Sequence, residues 1–160
     1  MRYQDLRDDI RSGDVLAWTH RAPPWASWYD FKVWLVRLGT RSEYSHVGLA
    51  WVVAGRVFVI ESVTPLVRIV PLSNLLPAYH ITADALTDEQ ERRALSLVGE
   101  GKYSQIEAAL ASLDKNDESN AWWQCAEFVK WVKRLACRAT PAAVVAHLLT
   151  LGGQLTEITK

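Results

Sequence analysis

Residues 43–62 read EYSHVGLAWVVAGRVFVIES. Two runs rich in Val, Ile, Phe and Trp flank Ala54-Gly55, and this pattern predicts a hairpin with strands at 45–53 and 56–62 and a two-residue turn between them. With that turn Val53 pairs with Arg56, which sets Gly48 opposite Glu61 and His46 opposite Val63. Side chains alternate between the faces of a strand. His46, Gly48, Ala50, Val52, Val57, Val59 and Glu61 therefore share one face, and the bulkier Val47, Leu49, Trp51, Phe58 and Ile60 share the other. The small-residue face is expected to admit a helix at close range. A hairpin made only for burial needs neither His46 nor Glu61. A histidine alone reads as a satisfied core residue, but an ionised carboxylate is too costly to bury without a partner. His46 is its diagonal neighbour across the strands.

A second stretch, SNAWWQCAEFVKWVKRLACRA at 119–139, carries an apolar stripe at helical spacing through Cys125, Phe128 or Val129, Val132, and Leu135 or Ala136. It reads as one helix, with Cys125 on the buried side of its first turns. A helix N-terminus stabilises a thiolate, and a neighbouring imidazolium stabilises it further. Cys125 could equally be a small apolar side chain packing like alanine; its place early in the helix and the His/Glu pair on the hairpin favour chemistry. On one helix Cys137 lies roughly 18 Å from Cys125, beyond disulfide reach, and Cys137 reads as structural. The two cysteines with His46 and Glu61 contain no CxxC, HxH or HExxH spacing, so neither a metal nor another cofactor is expected.

Around these stretches the chain reads as α+β. DVLAW (14–18), LVRIVPL (66–72) and YHITA (79–83) are strand-like. WASWYDFKVWLVRLG after Pro23-Pro24 has helical spacing at Trp25, Trp28, Phe31 or Lys32, and Leu35. Thr87-Asp88-Glu89-Gln90 is a capping box opening a helix toward Gly99, and Ser104 to Glu107 repeats the pattern. Thr140-Pro141 starts a last helix ending near Gly152. The 160 residues suit a single domain with a sizeable core, spanning 1–160. Eighteen basic residues balance eighteen acidic ones, which gives no basic face for nucleic acid. No apolar run reaches the roughly 20 residues of a membrane span. The charged opening, MRYQDLRDDIRSGD, does not read as a signal peptide, so the expected location is cytoplasmic, or outside by another route. The eight tryptophans read as core and groove packing.

YSHVG, VIES, GKYS and WWQCAEFV, in that order, resemble the circularly permuted NlpC-type branch of the papain-like cysteine hydrolases, the YiiX-like group, whose relatives include the lecithin retinol acyltransferase-like proteins. The resemblance covers roughly residues 12 to 135 and includes GDVLAW as the opening strand. It implies a permuted papain-like fold, a small antiparallel sheet packed against helices. It also implies that Cys125 is the nucleophile, His46 the general base and Glu61 the residue that orients the imidazole. By the same resemblance Tyr103, in the GKYS element, assists the oxyanion. Glu127 matches the signature too, but it points away from the stripe of Cys125 and reads as a structural hydrogen bond or ion pair.

Three functions stay open at this point. The first is a cysteine peptidase or amidase, on cell-wall peptides for example, acting on a small peptide, amide or acyl substrate. The second is a lipid acyltransferase or thioesterase, whose substrate the aromatic segments would accommodate. The third is a non-catalytic binding module.

Overall fold

The computed structural model describes residues 1–19, 44–63, 66–99 and 124–160. In chain order these form α1 (Tyr3–Leu6), a 3-10 turn, β1 (Val15–Trp18), β2 (His46–Val53), β3 (Arg56–Val63), β4 (Leu66–Pro71) and β5 (Ala78–Ile81). The helices α2 (Asp88–Ser96), α3 (Gln124–Lys133) and α4 (Pro141–Thr150) follow, and β6 (Leu155–Ile158) ends the series. The six strands make one antiparallel sheet in the order β4-β3-β2-β1-β5-β6. No described helix is long and apolar enough to cross a membrane.

The hairpin takes the register its turn dictates, with Val53 opposite Arg56 and Leu49 opposite Ile60. Both turn residues have positive φ, 48° at Ala54 and 71° at Gly55. That is the backbone of a two-residue turn matched to strand twist. β4 ends at Pro71, as its sequence predicts, and Thr87 and Gln90 form the expected reciprocal cap of α2. Helix α2 stops at Ser96, short of Gly99, because Val98 leaves it to bridge Val67 on β4. Thr140 caps α4 through Ala143 N, with Pro141 in its first turn.

Two expectations are corrected. The cysteine helix does not run to 139: it ends at Lys133, and Arg134 turns the chain with φ at 56°. Lys133 Nζ there donates to the carbonyls of Gly13 at 2.7 Å and Asp84 at 2.6 Å, and these bonds pin the helix end to the segments before β1 and after β5. Cys125 and Cys137 are thus not on one helix, and both are free thiols. The cysteine helix also packs on the bulkier hairpin face, not the small-residue one. Val47, Leu49 and Ile60 form one core with Ala94, Phe128, Val129, Val132, Val144 and Leu148 from α2, α3 and α4. The small-residue face is already filled: Ala50, Val57 and Val59 pack with Leu6, Ile10, Leu72 and Ile158. Small side chains there fit a one-turn helix and a loop, while the larger ones opposite supply the apolar area that three helices bury.

The predicted helices over 25–39 and from Ser104, and the N-terminal part of the cysteine stretch, lie outside the described residues.

Candidate active site

His46 opens β2, at the end of the sheet, paired with Trp18 of β1. The indole ring stands 5.4 Å from the imidazole, centroid to centroid, and is itself fixed by its Nε1–H donating to Leu75 O at 2.7 Å. This gives the imidazole an apolar wall on one side. On the neighbouring strand Glu61 is 1% exposed, and its Oε2 lies 2.6 Å from His46 Nε2. Gly48 is what lets them meet. A Cβ at that position would stand 2.7 Å from Val59 Cγ1 and 3.3 Å from Glu61 Cβ, on the side of the strand where the carboxylate sits.

The other carboxylate oxygen has a different partner. Arg68 is directly across from Glu61 in the β3–β4 ladder. Its Nε donates to Oε1 at 2.8 Å, and its Nη2 lies 2.6 Å from the same atom. Nothing in the sequence reading singled out Arg68. The signal was there in the pairing: only two residues separate Val63 from Leu66, so 61 and 68 fall opposite, and opposite charges in that position attract.

Cys125 is in the first turn of α3 as described, 3% exposed, and its side chain is hydrogen-bonded to His46. With Nε2 committed to Glu61, Nδ1 is the ring nitrogen left for the thiol. The helix body packs with Val47, Leu49 and Ile60, on the face opposite the one that strand parity gives His46, and His46 is the first residue of β2. Burial disfavours charge on the imidazole, but the hydrogen bonds and charges of Cys125 and Glu61 outweigh it and raise His46 from 6.5 to about 9. At neutral pH the ring is therefore an imidazolium between two acidic groups. Burial alone would raise the Glu61 carboxyl; the hydrogen bond and charge of His46, then those of Arg68, hold it below its ordinary value.

Of the residues expected at the site, the structure thus brings together Cys125, His46 and Glu61. Tyr103 lies outside the described residues. Glu127 is half-buried on α3, two residues beyond Cys125. Cys137 is beyond the helix end, and burial pushes its thiol up against a smaller opposing pull from Lys130. The sequence reading also passed over a second acid–histidine pair, Asp14 and His80, both 2% exposed and 2.7 Å apart. Asp14 also accepts from the backbone N–H of Arg11 and of Ala83. Its carboxylate is satisfied within the fold, which makes the pair a structural tie between β1, β5 and their loops.

Neither a protein-family model nor a curated protein matches the chain. Among solved structures it is similar to the metalloprotein YiiX from Escherichia coli O157:H7, with 21% identity and a TM-score of 0.51. The match covers 80% of this chain and 68% of that one. At that identity the likeness is one of fold, so the α+β arrangement of six antiparallel strands and their helices is YiiX-like.

Proposed function

We propose that this protein is a cysteine hydrolase of the permuted papain-like, NlpC-type fold, cleaving peptide or amide bonds through an acyl-enzyme on Cys125. One observation carries the reading: a buried thiol, an imidazole and a carboxylate joined in series, with the His46–Glu61 link at 2.6 Å. The order along the chain, histidine strand first and cysteine helix late, supports the permuted form.

The chemistry follows from where the protons are. Cys125, as thiolate, attacks the substrate carbonyl carbon, and the oxyanion forms near the backbone N–H of Cys125. The tetrahedral intermediate collapses as His46 gives its proton to the leaving amine, which departs and leaves a thioester. The neutral imidazole then takes a proton from water, whose oxygen attacks the thioester carbonyl. Release of the carboxylic acid returns thiolate and imidazolium. Glu61 orients the ring and stabilises its charged form.

YiiX is described as a metalloprotein. Among the described residues no group of three or more His, Cys, Asp or Glu side chains is placed to hold a metal ion. The Glu61 carboxylate is moreover bracketed by His46 and Arg68, a positive setting for an added cation. The described residues do not fit a metal, and no step is drawn through one.

The test offers a γ-glutamyl peptide, a simple peptide amide and a lipid ester side by side, with quenched intact-mass spectrometry. A hydrolysed amide and an acyl adduct on Cys125, both lost in Cys125→Ala, are expected. Adducts from the lipid ester alone would make the protein an acyltransferase or thioesterase. Turnover that survives Cys125→Ala would refute the mechanism.

A further inference from the structure

Among the described residues, the guanidinium of Arg68 is a charged group of the site to which the chemistry above gives no task. Its Nε and Nη2 both approach Oε1 of Glu61, at 2.8 and 2.6 Å, while Oε2 is held by His46 Nε2 at 2.6 Å. The two carboxylate oxygens thus have separate partners on separate strands, and rotation of the carboxyl group would break both links at once. The Glu61 side chain is 2% exposed, whereas that of Arg68 is 45% exposed.

We propose that Arg68 is a positioning residue that keeps Glu61 ionised and aligned during the stages of the reaction in which His46 is neutral. This rests on the reading of Cys125, His46 and Glu61 as the reacting set. Once His46 has given its proton to the leaving group, Glu61 loses its imidazolium. A buried carboxylate left alone would draw a proton to itself or turn toward water. A guanidinium stays charged at any working pH and grips a carboxylate with a rigid fork. It holds Glu61 as an anion whether or not the ring is protonated, so His46 exchanges its proton with leaving group and water rather than with Glu61. Arg68 also limits how strongly Glu61 retains that proton on His46, which must become neutral to activate water.

Among the described residues, the titratable and charged groups facing Glu61 are His46 from β2 and Arg68 from β4; the titratable groups facing His46 are Glu61 and Cys125 from α3. Removing Arg68 therefore has a signed consequence. His46 would face an unshared carboxylate and bind its proton more tightly, whereas a residue that merely supports folding would leave the proton affinity of His46 unchanged.

The experiment is NMR titration of the His46 ring in wild type, Cys125→Ala, Arg68→Gln and Arg68→Lys, alongside hydrolysis of p-nitrophenyl acetate. In Arg68→Gln the His46 pKa is expected to rise by about half a unit to one unit above wild type, the size of one screened charge at this range. The nitrophenol burst persists, and steady-state turnover at pH 7 falls by about three- to tenfold, because less of the ring is neutral to activate water. Arg68→Lys, with the charge restored, returns the pKa toward wild type. Should Arg68→Gln fail to fold, Arg68→Met, which keeps the apolar stem, carries the same expectation. A His46 pKa and turnover unchanged on loss of the charge would overturn the role of Arg68. A wild-type ring that titrates near 6.5 and ignores Cys125→Ala would instead remove the reacting set itself.

Discussion

His46 is held between two acidic groups, and this sets the pH range over which the site holds together. Its proton affinity is raised, from 6.5 to about 9, so the stability it contributes is full below 6.5 and fades as pH rises through 9. Glu61 is shifted the other way; its contribution is present above the ordinary carboxylate value and is lost as pH falls below it. Urea unfolding should therefore show greatest stability near pH 6, with a loss of at most about 3 kcal/mol between pH 6 and pH 10 that His46→Ala removes. His46→Ala itself should fold, costing about 1–2 kcal/mol, because Arg68 still compensates Glu61. Gly48→Ala puts a methyl 2.7 Å from Val59 Cγ1, and should cost about 1–3 kcal/mol in the same assay; on the proposed hydrolase reading it should also slow turnover by displacing Glu61. The His46–Glu61 pair was legible because strand parity and a two-residue turn fix which side chains are neighbours. Arg68 obeys the same arithmetic, yet LVRIVPL reads first as an apolar strand and hides its one charge. The contact of His46 with Cys125 could not be read from face assignment, since the cysteine helix packs with Val47, Leu49 and Ile60 on the face opposite the one that strand parity gives His46.

At the scale of elements, the starts of α2 and α4 were legible, and so was the end of α4 near Gly152, but α1 and the ends of α2 and α3 were not. Thr87 and Thr140 are caps whose chemistry is local, and each accepts a backbone N–H three residues on. Thr87→Ala is expected to cost about 1 kcal/mol by thermal melt. The end of α3 is a tertiary event: Val132, Leu135 and Ala136 would continue the stripe, but Lys133 reaches across to Gly13 O and Asp84 O and the chain turns at Arg134. The hairpin turn carries its own test. Ala54 sits at φ 48°, a conformation alanine adopts at a cost, so Ala54→Asn should stabilise the protein by about half a kcal/mol to 1 kcal/mol. No change, or a loss, would mean that the turn relaxes to another geometry in solution.

Over the whole molecule, one sheet separates two cores, and Cys125 of the cysteine helix reaches the His46–Glu61 pair of the hairpin. The sequence revealed the α+β class and five of the six described strands, but not β6, a four-residue edge strand whose buried residue is Ile158. Nor did it reveal the Asp14–His80 tie, whose partners are 66 residues apart. Asp14 is held below its ordinary value because the hydrogen bonds from His80, Arg11 N and Ala83 N outweigh the effect of burial. The central claim is narrower than the fold: the Cys125 side chain is hydrogen-bonded to His46 and, with Glu61, raises the proton affinity of the ring. The most direct measurement is the NMR titration of the His46 ring in wild type and in Cys125→Ala. A wild-type value near 9 that falls clearly in the variant is the predicted result. A value near 6.5 in both proteins would contradict it.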